Sequence, residues 1–377
     1  MCIRDSRNTA AANPTKDIGG THMKKVLLII FIILLILPGA CYADGLDANK
    51  IEAALPDEAK ELAGDIDDAG DPQAFFERLG NAVKQTLKDS AGGVLKKAAS
   101  VVIVAVLCSI LVLFGGEKTP ELVALCGCAA ITILCVSDTN SYINQGTKAI
   151  DDISAFSKIL LPAMCTASAA CGEISSAAVR YAASAMFMDV FIALAQNLIV
   201  PFIYAYIAVS IASAAFDNPS LGSISKLLKW VSTSLMTLLS LGFTAYIGVS
   251  SAIASGGDKL ASKIAKTTIS TAFPVVGGII SDAASSVVAG AEIVKNTLGA
   301  FGMIAVLSLC ISPMVVIGLN YLAFKAAGAF TSTLKLPQIA ALTQSIGTAF
   351  GMLLGLVGCC GVMMFISLIS CMRAVVG

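Results

Sequence analysis

Long apolar runs separated by short polar connectors dominate this chain, and their spacing predicts a bundle of membrane-crossing helices. Ala99 to Phe114 and Leu122 to Val136 are each close to the roughly 17-residue minimum for a crossing helix, and Glu117 to Glu121 links them as a hairpin. A polar loop with Asp138, Asn140, Asn144, Lys148, Asp151 and Asp152 leads to Ile159–Ala178, rich in the small residues that let helices pack closely in lipid. Ala182 to Phe216 is too long for one span and reads as two spans, or one sharply kinked pair, broken at Pro201. Val231 to Ala254 follows the interfacial anchor arrangement of Lys226, Lys229 and Trp230; Thr297 to Leu319, kinked at Pro313, and Ile346 to Ser370 complete the set. The expected architecture is all-α and polytopic, with about seven spans over residues 99–377.

The region before these runs differs. Residues 1–22 carry no pattern, and the opening MCIRDS looks like translated sequencing-adaptor read-through, so they are set apart as a non-native prefix. Residues 23–43 read as a secretory signal peptide: Lys24 and Lys25, an apolar stretch from Val26 to Leu37, and small residues to a cleavage site after Ala43. Lipoprotein processing at Cys41 and a retained anchor helix are the alternatives. Residues 44–98 form a short extracytoplasmic helical section. Asp71 caps a helix opened by Pro72, with Phe75, Leu79, Val83 and Leu87 at helical spacing. The acidic run around Asp65 to Asp71 is a solvated loop, because Ala69 and Phe76 occupy positions where a calcium loop places ligands.

The most informative polar pattern lies between Thr271 and Ala300. On a 3.6-residue period Asp282, Ser285, Ser286, Glu292 and Asn296 share one face, and Pro274, Gly277 and Gly278 form a hinge just before it. Such a stripe lines water or re-enters the membrane, or else it lies flat at the interface and seals a bundle; the sequence leaves both open. Three ionisable residues stand inside apolar runs. Glu173 and Arg180 are spaced to pair on one helix face, while Asp189 is placed either for a hydrogen bond to a neighbouring helix or for an ion relay.

Composition narrows the function. With 56% hydrophobic and 13% charged residues, and 25 basic against 25 acidic side chains, the chain has no basic stripe for a nucleic acid. Its mean hydropathy is +0.84. His22, the only histidine, precedes Met23, which removes Ser-His, Cys-His and histidine-zinc chemistry. No phosphate-binding Gly-x-x-x-x-Gly-Lys-Ser/Thr occurs, and Cys108, Cys126, Cys128, Cys135, Cys310, Cys359 and Cys360 read as small hydrophobes in spans. No catalytic residue, cofactor or metal site is assigned.

The run FPVVGGIISDAASSVVAGAEIVKNTLG, with the following span containing Cys310 and Pro313 and its exit from Tyr321 to Lys325, resembles the stage III sporulation protein AE family. That resemblance implies a multi-pass protein of the cell membrane, in the outer forespore membrane during sporulation. It also implies that the other membrane subunits of the stage III sporulation complex are its partners, in a channel or secretion-like apparatus between mother cell and forespore that sustains late forespore development. A stand-alone secondary transporter with a midplane polar site is the alternative, although such carriers usually show internal repeats and none is evident here.

Overall fold

A computed structural model describes residues 48–64, 66, 72–115, 119–272 and 277–372. The prefix, the signal peptide, the acidic loop around Asp65 to Asp71 and Pro274 lie outside these residues, as do the side chains of 250–285. Two short helices come first, α1 (Ala48–Ala53) and α2 (Asp57–Ala63). They are followed by α3 (Pro72–Phe114), α4 (Thr119–Ala170), α5 (Ile174–Leu194), a π turn (Ala195–Ile199) and α6 (Val200–Ala215). The chain then forms α7 (Pro219–Ala272), α8 (Gly277–Ser332) and α9 (Pro337–Met372). Among the described residues there is no strand.

Six helices are long and apolar enough to cross a membrane, against the seven or so expected. Two differences account for the count. The expected polar loop at 138–152 is helical, so the apolar runs on either side of it belong to the single 52-residue helix α4. Ile143, Ile150, Ile153 and Phe156 recur at helical spacing through that stretch and are buried, and the Thr139 and Thr147 hydroxyls donate back to the carbonyls of Cys135 and Ile143. The Pro201 break is absorbed without a turn. A proline clashes with the carbonyl four residues before it, here Asn197, and the π turn at 195–199 widens the helix at that place, so α5 and α6 continue as one rod. The expected span over Ile159–Ala178 ends at Ala170 and turns there.

Side-chain contacts fix the register. Cys108 lies against the Val123 carbonyl at 3.9 Å and the Lys97 Nζ donates to the Tyr142 hydroxyl at 3.3 Å, so α3 and α4 are antiparallel. Gly127 faces Ile339 and Gly146 faces Leu353, so α4 and α9 run parallel. The α8–α9 hairpin is the innermost part, with more than half of each helix's most apolar window buried, while α3 and α7 lie at the periphery. Small residues bring its two helices together: a Cβ on Gly347 would stand 3.3 Å from the Lys325 nitrogen and from the Phe324 Cβ, and one on Gly328 3.2 Å from the Gln344 nitrogen. Gly355, one helix with Gly347, has nothing within 4 Å of that position.

The hairpin therefore depends on close backbone approach at the level of Gly347 and Gly328. Gly347→Leu is expected to destabilise the detergent-solubilised protein by about 1–3 kcal/mol, and Gly355→Leu to leave it near wild type. Thermal unfolding of the two variants checks this; equal losses would contradict it.

Candidate functional site

Two of the ionisable residues singled out from the sequence, Glu173 and Arg180, meet where α4 hands over to α5. Helix α4 ends in a Schellman turn: the Gly172 N–H donates to the Ala169 carbonyl at 2.9 Å and the Glu173 N–H to the Ser168 carbonyl at 3.2 Å. This turn needs the left-handed backbone that Gly172 supplies at φ +87°. It sets Glu173 at the N-terminal cap of α5, with its carboxylate free of capping duty.

That carboxylate is shared between two cations. Arg180 Nη1 donates to Glu173 Oε2 at 3.1 Å, two turns along α5, and Lys295 Nζ, from α8, donates to Oε1 at 3.4 Å. Lys295 is 0% exposed, Arg180 1% and Glu173 7%, so the three charges lie in the protein interior. Burial of such groups is costly unless they are paired, and here one carboxylate answers two cations. The Arg180 Nε and the hydroxyls of Ser168 and Ser184 have no partner among the described residues.

Glu292 stands one turn before Lys295 and is half-buried; together with Glu173 and Lys295 it acts on Cys171 in the turn. Burial pushes the Cys171 thiol up from its ordinary value, the Lys295 ammonium pulls it down, and the two carboxylates add to the rise. The polar stripe of α8 thus divides. Ser286 and Asn296 are exposed on the outer side of the helix along with Ala289, Gly290 and Ile293, whereas Glu292 is half-buried and its carboxylate acts on Cys171 at the α4–α5 junction. The side chains of Asp282 and Ser285 lie outside the described residues, as does Pro274; Gly277 and Gly278 form the first turn of α8.

Asp189 is exposed on α5, and among the described residues it makes no hydrogen bond to a neighbouring helix. The junction member missed in the sequence is Lys295. Its signal was available, since a single lysine flanked by Val294 and Leu298 in an apolar helix needs a partner inside the protein. Elsewhere, Gln196 donates to Asp151 and the Tyr204 hydroxyl contacts Asn140 Oδ1 at 2.6 Å, tying the middle of α4 to the π turn and α6.

A second polar region is a cleft of about 1160 Å³ where α2 and α3 lean on the middle of α4 and α8. Asp57, Glu58, Glu61 and Asp152 line it together with Ser312 and Pro313. Among the described residues no three His, Cys, Asp or Glu side chains gather as metal ligands.

Six apolar helices, an ionic junction sealed in their interior and a short helical section against their middle define a multi-pass helical membrane protein. The chain belongs to the stage III sporulation protein AE family, whose model matches residues 59–374, from α2 to the end of α9. The stage III sporulation protein AE of Bacillus subtilis (strain 168) is 27% identical over 194 residues, which is 52% of this chain and 48% of that protein. The match thus spans about half the length of that relative. No solved structure matches the chain.

The charge arithmetic at Glu173 gives an ordering of variants. Glu173→Gln strands two buried cations and is expected to cost about 3–5 kcal/mol. Lys295→Met leaves the Glu173–Arg180 pair intact and is expected to cost clearly less. Thermal unfolding in detergent checks the ordering, and a larger loss for Lys295→Met would contradict it.

Proposed function

We propose that this chain is a non-enzymatic membrane subunit of the sporulation transenvelope channel, or secretion-like complex, between mother cell and forespore. It sits in the outer forespore membrane with the other membrane subunits of the stage III complex and serves late forespore development. Family membership supports the sporulation setting. The observation that carries the subunit reading is the outer side of α8. Ser286 and Asn296 are exposed there, beside Ala289 and Gly290, on a helix anchored from behind by Lys295. An exposed amide such as that of Asn296, in a helix long and apolar enough to cross a membrane, is unfavourable against lipid and favourable against water or a second polar surface.

In this reading the stripe Asp282, Ser285, Ser286, Glu292 and Asn296 borders a passage, the segment at Pro274, Gly277 and Gly278 is its hinge, and α1, α2 and the polar half of α3 meet partners outside the membrane. Energy for transport comes from another subunit, since the chain carries no nucleotide-binding loop.

Single cysteines in a cysteine-free background test this in membranes of sporulating cells. At positions 286, 289, 293 and 296 a membrane-impermeant maleimide is expected to label 286 and 296 in the assembled complex, and positions 295 and 298 to stay silent. Asn296→Leu is expected to lower the yield of heat-resistant spores at unchanged protein level. Silence at 286 and 296 together with normal spores from Asn296→Leu would refute the reading.

A further inference from the structure

The cleft beside α2 is walled by four helices, and its charge is unbalanced. Asp57, Glu58 and Glu61 of α2, Asp89 of α3 and Asp152 of α4 line it, against two basic side chains, Arg78 and Lys148. Asp57 and Glu61 are four residues apart and share one face of α2. Among the described residues none of the five carboxylates forms an ion pair.

Carboxylates at a surface need no partner beyond water, so the wall supplied by α8 is the more telling part. Ser308, Leu309, Pro313 and Val316 are buried, whereas the carboxylates of α2 and α3 are exposed; α8 therefore forms the floor and the acids the rim. That floor offers acceptors and no cation. Pro313 has no N–H, so the Leu309 carbonyl lacks its helical donor. The Ser308 hydroxyl donates to the Ile304 carbonyl at 3.0 Å, which leaves its oxygen to accept. One turn beyond Val316, Asn320 is 0% exposed. Its Nδ2 donates to the Val316 carbonyl at 2.8 Å, and its Oδ1 has no partner among the described residues. Acceptors without donors at the floor and carboxylates without counter-charge at the rim call for the same kind of ligand, a cationic donor.

Size sets the class of that ligand. A volume of about 1160 Å³ is larger than the roughly 300–1,000 Å³ of small-molecule pockets. Ala59, Leu62, Ala82 and Ala149 add apolar surface among the charges. An extended peptide with basic side chains between small apolar ones matches such a lining.

We propose that this cleft binds a lysine- or arginine-bearing peptide segment of a partner subunit. The carboxylates of α2, α3 and α4 take its cations along the rim, and the Leu309 carbonyl and Ser312 hydroxyl take the end of one long side chain at the floor. The proposal rests on the subunit reading above for the identity of the partner, and on the cleft alone for its chemistry.

Fluorescence anisotropy of the full chain in an uncharged detergent, titrated against the labelled hexapeptide Ala-Lys-Ala-Ala-Lys-Ala or its glutamate counterpart, tests the site. The lysine peptide is expected to bind and the glutamate peptide not. Glu58→Gln/Glu61→Gln should lower affinity about tenfold, and Ser312→Leu, which fills the floor without changing the charge, by a similar factor. Glu121→Gln/Asp217→Asn, which removes two exposed carboxylates elsewhere, should bind as wild type. Should Ser312→Leu not fold, photo-cross-linking of a benzophenone-bearing lysine peptide decides the question, with attachment expected within residues 308–316. Unchanged affinity in Glu58→Gln/Glu61→Gln or in Ser312→Leu, attachment outside the cleft, or full displacement of the peptide by spermidine at equal charge concentration would overturn the proposal, the last by showing a site for a free polyamine. Peptide binding is read on the purified chain and spore yield on the assembled complex, so this proposal and the subunit reading can fail separately.

Discussion

One carboxylate, that of Glu173, joins the two halves of this protein. It lies at the turn between α4 and α5, receives Arg180 from its own helix and Lys295 from α8, and is closed off from solvent with both. Neither cation is tolerable there alone, so the position of α8 relative to the α4–α5 turn is specified by charge as well as by packing. Hydrophobic contacts in lipid would leave rotation and sliding of a long apolar helix weakly determined, whereas a buried ion contact with fixed geometry does not. The consequence is local. It sets which side of α8 faces inward at Lys295 and therefore which side presents Ser286 and Asn296 outward.

Helix length is the second constraint. At 1.5 Å per residue, the 52 residues of α4 and the 56 of α8 extend to about 80 Å, while hydrocarbon is about 30 Å thick. A single bilayer cannot contain either helix from end to end, so each carries a length that meets water, headgroups or protein. The polar middle of α4 fits this need: Asp151 and Asn140 engage Gln196 and Tyr204, and Asp152 faces the cleft beneath α2. The amphipathic half of α3 extends the same principle, since it runs without interruption into the apolar half that can cross the membrane.

The helical, multi-pass character was legible in the sequence because long uncharged runs admit few other structures, and the Glu173–Arg180 pair was legible because seven residues are two turns of a helix. The continuity of α4 was not. Its middle section is polar in composition, and only the buried isoleucines at helical spacing reveal that the rod does not stop. Pro201 misled for a related reason: a proline predicts a lost hydrogen bond, but a π turn can absorb that loss locally without ending the helix. Lys295 depends on helices far apart in the chain coming together, so its side chain looked isolated until Glu173 was in place beside it. The stripe on α8 was visible as a periodicity, while its division between a half-buried Glu292 and an exposed Asn296 required the position of the junction.

Cross-linking across the junction tests the central claim most directly. With Cys171 as the sole native cysteine, Glu292→Cys and Ile293→Cys are each treated with a short bismaleimide in native membranes. The account predicts an intramolecular cross-link from 292 to Cys171 and none from 293, because the first faces the turn and the second faces outward. A cross-link from 293 instead of 292, or none from either with both thiols shown to be reactive, would contradict the docking of α8 against the α4–α5 turn.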